Sequence, residues 1–266
     1  MQKTLQMANI IALIATIVVN YLSNTGLFNN ETMASVSASY ENLFTPAGYA
    51  FSIWGFIYLG LAGFVIHQSK GLFNRNRKTP DVVNRIGWTF VLSCVANCLW
   101  VIAWLYDYTG LSVLIMIALL ACLIRIVLAT RMQMDIISFK QIALESWPFA
   151  FYLGWINVAL IANIAAYLTK TGWSGFGLPA QAWTIGMILA AAAINIFITW
   201  KRNLRESAMV GVWALVAVAV ANWNGAQPIV YAAIGAAVIV FISANIHGYR
   251  NKGRQWIINK PGVRQI

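Results

Sequence analysis

Charge is what this chain has least of. Of its 266 residues 9% are charged and 60% hydrophobic, with a mean hydropathy of +0.70. Soluble domains carry about a quarter charged residues, so the composition excludes a soluble fold and describes a polytopic membrane protein. Acidic residues are the scarcest, seven against eighteen Lys and Arg, for a net charge of +11. Such an excess would suggest nucleic acid in a soluble protein, but here the cations gather in alternate loops, as they do on cytoplasmic membrane faces. No nucleic-acid partner is expected; the partner is the lipid bilayer. Cys94, Cys98 and Cys122 all lie in apolar stretches, which argues against a disulfide framework. Cys94 and Cys98 are one helical turn apart without a neighbouring His or carboxylate, so they read as packing residues and no metal site is expected.

Carboxylates and histidines are missing from bilayer depth, where proton-coupled transporters and intramembrane acid-base enzymes place them. Asp107 falls in a short turn, Glu145 just before Pro148 at a helix start that suits a carboxylate, and Glu206 among cations. His67 and His247 lie at segment ends, and Arg125 is near enough to a face to snorkel. There is no Gly-rich phosphate loop, H-E-x-x-H, G-x-S-x-G or paired-acid diphosphate motif. Catalysis would rest on tyrosine, tryptophan and amides alone. An enzyme is therefore the less favoured class.

What is present is a series of eight apolar segments near the length of about 20 residues that crosses a bilayer. They run approximately over 8–23, 47–67, 86–105, 110–130, 146–168, 181–200, 207–222 and 228–247. Loop cations assign the sides. Lys70, Arg75, Arg77, Lys78 and Arg85 follow the second segment, Arg131 and Lys140 the fourth, and Lys201, Arg202 and Arg205 the sixth; Arg250, Lys252, Arg254, Lys260 and Arg264 follow the eighth. The opposite loops hold Glu31, Glu41, Asp107 and the cation Lys170. Both termini are thus expected in the cytoplasm, in a bacterial inner membrane. Lys3 ahead of an apolar run resembles a signal peptide, but NYLSNTGLF offers no clear small-x-small cleavage site, so the segment is expected to stay.

Aromatic residues are abundant and ordered. Phe51, Trp54 and Tyr58, Asn97, Trp100 and Trp104, and Tyr152, Trp155 and Ala159 each fall at i, i+3 and i+7, with Asn163 extending the third set. Each set lies within an arc of about 60° on its helix. Trp and Tyr also collect at bilayer interfaces, which accounts for Trp88, Trp173, Trp183, Trp200 and Trp256 at segment ends. It does not account for Asn97 and Asn163, whose amides inside hydrocarbon need an interhelical or ligand partner. Residues 24–46 form the longest non-helical piece expected, a loop that serves either as a lid or as a solvated connection.

Pro46, the Trp54-Gly55-x-x-Tyr58 core, Asn97-x-x-Trp100, and Pro148 followed by Trp155 and Asn163 together resemble the TspO/MBR family of tryptophan-rich, translocator-protein-like sensory proteins. The likeness covers roughly residues 1–168. It implies a five-helix bundle, often a homodimer, binding a tetrapyrrole, sterol or other flat apolar molecule near the first loop, with a porphyrin or haem as ligand and no resident cofactor. The ligand-binding residues would be Phe51, Trp54, Tyr58, Asn97, Trp100, Trp104, Tyr152, Trp155 and Asn163. The expected fold is all-α, with eight transmembrane helices in two parts: a TspO-like bundle over 1–168, then three more helices and a basic tail over 169–266. The expected function is binding, sensing or transporting a flat apolar ligand. The alternatives are an intramembrane enzyme acting on a porphyrin or isoprenoid, and a secondary transporter.

Overall fold

The computed structural model describes residues 2–73, 80–132, 134 and 138–251. Arg75, Arg77, Lys78, Lys252, Arg254, Trp256, Lys260 and Arg264 lie outside these residues. The described chain is helical, with no strand. In order come α1 (Gln2–Leu22), α2 (Met33–Ser39), α3 (Ile53–Gln68), α4 (Lys70–Phe73), α5 (Val82–Ile86) and α6 (Thr89–Leu105). Then follow α7 (Thr109–Thr130), α8 (Phe139–Gln141), α9 (Trp147–Lys170), α10 (Ala180–Arg202), α11 (Arg205–Ala221) and α12 (Gln227–Arg250). Each apolar segment of the sequence is one of the eight longer helices. Six helices are long and apolar enough to cross a membrane, counting the turns that lead into α3 and α9; Thr89–Leu105 is a shorter apolar helix. α11 has 17 residues and opens on Arg205 and Glu206.

Helix ends follow local chemistry. A 3-10 turn, Gly48–Ser52, leads into α3, and a π-helical turn, Ile142–Ser146, leads into α9 just ahead of Pro148, whose missing N–H cannot continue the regular i to i−4 ladder. Asp107 and Asn203 take positive φ in the tight turns α6–α7 and α10–α11, a conformation that short polar side chains tolerate.

α9 is the pillar of the assembly. It packs against α3, α7, α10 and α11, and 67% of its apolar window is buried, against 28% in α1 and 39% in α12. Close approach needs missing side chains. A Cβ on Gly154 of α9 would stand 2.6 Å from the Ser207 carbonyl oxygen of α11, and one on Gly211 would stand 2.5 Å from Asn195 Cγ of α10. These positions bring the backbones together as small residues do between membrane helices.

Inter-helix loops meet at two ends. At one, Tyr40, Asp107 and Lys170 join, and Asn222 Nδ2 donates to the Leu43 carbonyl at 3.0 Å. At the other, His67 Nε2 pairs with Glu145 Oε1 at 3.0 Å and Arg202 Nη2 donates to the Val127 carbonyl at 3.0 Å. Arg125 Nε donates to Thr89 Oγ1 at 3.0 Å.

The first loop departs from the non-helical expectation. Thr32 and Ser35 form a capping box, and Met33 and Val36 one turn apart give the short α2 an apolar side, with Val36 buried. A loop rich in serine thus starts a helix because its hydroxyls cap it.

Candidate functional site

Trp54 is the meeting point of the aromatic sets. Its ring stacks on Tyr58 within α3 at 5.5 Å and 19°. It lies 6.2 Å from Trp100 of α6, and meets Tyr152 and Trp155 of α9 edge-on at 5.7 and 6.3 Å. Phe51 adds an edge contact to Trp155 at 5.9 Å. The helical spacing puts each set on one side of its helix, and the packing of α1, α3, α6 and α9 turns those sides inward. Rings from three helices converge in offset and edge-to-face pairs, each contributing about 0.5–1.5 kcal/mol beyond area burial.

Asn97 and Asn163 hold these rings. Asn97, fully buried, accepts from Asn20 Nδ2 of α1 at 2.7 Å and donates to Tyr152 OH at 2.9 Å. Asn163 Oδ1 accepts from Trp100 Nε1 at 2.9 Å, while its Nδ2 donates to Ser112 Oγ of α7 at 2.9 Å. Both amides are satisfied across helices, the interhelical alternative weighed for them. Asn20 and Ser112 are partners that the aromatic spacing does not reveal. The argument that flags Asn97, an amide inside an apolar run, applies equally to Asn20.

Two chambers flank Trp54. The inner one, about 60 Å³, is lined by Met33, Tyr40, Pro46, Phe51, Trp54, Trp100, Trp104, Trp155 and Asn163, with Val158, Ala159 and Ala162 of α9. The outer one, about 430 Å³, is lined by Ile17, Asn20, Tyr21, Met33, Phe51, Trp54 and Tyr58 among others. Met33, Phe51 and Trp54 form the wall between them. Of the nine residues singled out by sequence, Phe51, Trp54, Trp100, Trp104, Trp155 and Asn163 line the inner chamber, and Tyr58 lines the outer. Asn97 and Tyr152 line neither and stand behind the rings.

The first loop roofs this site. Met33, Ser37 and Tyr40 face the inner chamber, and Trp104 Nε1 reaches the Met33 carbonyl over a long 3.4 Å. Tyr40 OH donates to Asp107 Oδ1 at 2.8 Å, Lys170 Nζ lies 2.8 Å from Asp107 Oδ2 and 5.7 Å from the Tyr40 ring centre, and Asn29 Nδ2 donates to the Leu105 carbonyl at 3.0 Å. Partial burial pulls the Asp107 carboxyl upward. The hydrogen bonds from Lys170 and Tyr40 and the Lys170 charge outweigh it, leaving Asp107 below the usual carboxylate range.

Fold and site together define a helical integral membrane protein with an aromatic-lined cavity beneath a tethered loop. The chain belongs to the TSPO-like protein family, whose model matches residues 6–246. The match continues past residue 168 through α10 and α11 into α12, further than the residues that carried the resemblance. No curated protein and no solved structure matches the chain.

Proposed function

We propose that this protein binds a flat apolar ligand, of tetrapyrrole, sterol-like or isoprenoid type, against the aromatic rings gathered around Trp54, and senses or moves it. The observation that carries the reading is the convergence of Phe51, Trp54, Trp100, Trp104 and Trp155 on one chamber whose lining amide, Asn163, is already spent on Trp100 and Ser112. Family membership supports ligand binding or sensing in the membrane. Ligand pockets run about 300–1,000 Å³. The outer chamber, about 430 Å³, has that size and the inner one, about 60 Å³, does not. The ligand body therefore occupies the outer chamber, and one ring enters beside Trp54 when Met33, Phe51 and Trp54 give way.

Eight bilayer crossings with both termini cytoplasmic put the roofed end outside, and the membrane proposed is a bacterial inner one. The test is tryptophan-fluorescence quenching by protoporphyrin, haem and a carotenoid in the wild type and in Trp54→Ala. Saturable quenching by at least one ligand that weakens about tenfold or more in the variant is expected, on the scale of 1.4 kcal/mol per factor of ten. Equal quenching in both proteins would overturn the site.

A further inference from the structure

The buried polar atoms that line the inner chamber leave one over. Tyr40 OH is spent on Asp107, Trp100 Nε1 on Asn163, Asn163 on Trp100 and Ser112, and Trp104 Nε1 on the Met33 carbonyl. Trp155 is 2% exposed, and its indole N–H is the one buried polar atom among the described lining residues that has no partner. Edge contacts from Phe51 and Trp54 fix the ring. Leaving a buried donor unpaired costs more than a typical hydrogen bond gains net, so a molecule whose acceptor reaches this N–H gains the bond that the folded chain leaves unmade.

We infer that Trp155 is a specificity-determining residue, and that the cavity selects flat apolar molecules carrying a neutral hydrogen-bond acceptor, a ketone or quinone carbonyl, over hydrocarbons of the same shape. The inference rests on the ligand-binding reading of the cavity and narrows its ligand class. Neutrality follows from the lining, which includes no Lys, Arg or His. The cation at the roof, Lys170, is paired with Asp107. A carboxylate pushed against Trp155 would lose its hydration with no countercharge to replace it. A carbonyl loses far less and gains the indole N–H.

The test uses a matched pair: 2,3-dimethyl-1,4-naphthoquinone and 2,3-dimethylnaphthalene, which share a carbon skeleton and differ by two carbonyl oxygens. The methyl groups block addition of the cysteine thiols to the quinone ring. Isothermal titration of the purified full-length protein in detergent, corrected for partition into empty micelles, should show the quinone binding about tenfold tighter than the hydrocarbon, the range of one well-made hydrogen bond. In Trp155→Phe the quinone should fall to the level of the hydrocarbon measured in the same variant, because phenylalanine keeps an aromatic ring and carries no N–H donor. Trp100→Phe, which removes an N–H already spent on Asn163, should keep the preference.

A wild type without preference for the quinone overturns the inference. A water held by Trp155 would give that result, since a chamber of about 60 Å³ has room for one. A preference that survives in Trp155→Phe overturns it too, and so does a preference lost equally in both variants. Saturable hydrocarbon binding without a quinone advantage sinks this inference and leaves the cavity standing. Absence of saturable binding by either compound sinks both. Should Trp155→Phe fail to elute as a monodisperse helical protein, the wild-type pair and Trp100→Phe still decide.

Discussion

Asn97 shows how one amide organises the site without touching ligand. Its carbonyl oxygen accepts a hydrogen bond from Asn20 and its amide donates one to Tyr152, so α1, α6 and α9 are tied at one point. Asn97→Leu would leave Asn20 and the Tyr152 hydroxyl without that partner in a buried setting, costing about 1–3 kcal/mol. A lower thermal midpoint in detergent checks this, with weaker quenching following from a displaced Tyr152 beside Trp54. Asp107 acts at the roof and through pH. Its folded value lies below the ordinary one, so its contribution to holding the loop is complete above the unfolded carboxylate pKa of about 3.9. That contribution fades as pH falls through the depressed folded value. Acid should therefore loosen the first loop, and limited proteolysis within residues 24–46 should speed up on acidification below about pH 4. Asp107→Asn should show faster cleavage at neutral pH and lose most of the acid step; an unchanged step would assign it to other groups.

Between elements, the decisive property is which glycines face a neighbour. A Cβ at Gly154 would press on the Ser207 carbonyl of α11 at 2.6 Å, whereas one at Gly55 of α3 would meet nothing within 4 Å. Gly154→Ala should lower the thermal midpoint by the equivalent of about 1–3 kcal/mol, the usual cost of overpacking. Gly55→Ala should be neutral or stabilising by up to about 1 kcal/mol through helix propensity alone. Equal effects of the two would refute the close α9–α11 contact. Gly55 and Gly235 face open space, whereas Gly60 meets Pro148 of α9 and Gly63 meets Leu144 in the turn before it. Glycine in an apolar run carries no periodic partner from which its side of the helix can be read. The aromatic sets do carry one, and so the eight helices and the rings around Trp54 were legible in advance. Asn20, Ser112, the Met33 wall and the helix α2 were not, because each depends on a partner distant in the chain or on a hydroxyl cap inside a loop that composition alone describes as irregular.

For the whole molecule, the question is what α10–α12 do to a bundle that the resemblance places in residues 1–168 and associates with dimers. α11 lies along α9, α10 packs on both, and α12 packs on α10 and α11. The loop side is fastened as well: Ala47 N–H donates to the Ala217 carbonyl at 3.0 Å, Trp213 Nε1 to the Ala50 carbonyl at 3.3 Å, and Asn222 Nδ2 to the Leu43 carbonyl. Through these bonds α11 holds the 3-10 turn that starts α3 and so fixes Phe51 over Trp155. The C-terminal helices thus do two things: they cover the α9 face at Gly154, and they brace the segment that leads into the aromatic site. From this we expect a monomer in solution, with a detergent-corrected mass near 29.4 kDa. A stable dimer would mean that a further face of the bundle associates. The bracing is tested apart from the mass. Trp213→Phe removes one bond to the Ala50 carbonyl and leaves both chambers' linings untouched, so ligand-induced quenching should weaken by about twofold to tenfold, the range of one neutral hydrogen bond, while the protein stays monodisperse. Unchanged affinity would show that α11 supports the fold of α3 without setting the position of Phe51.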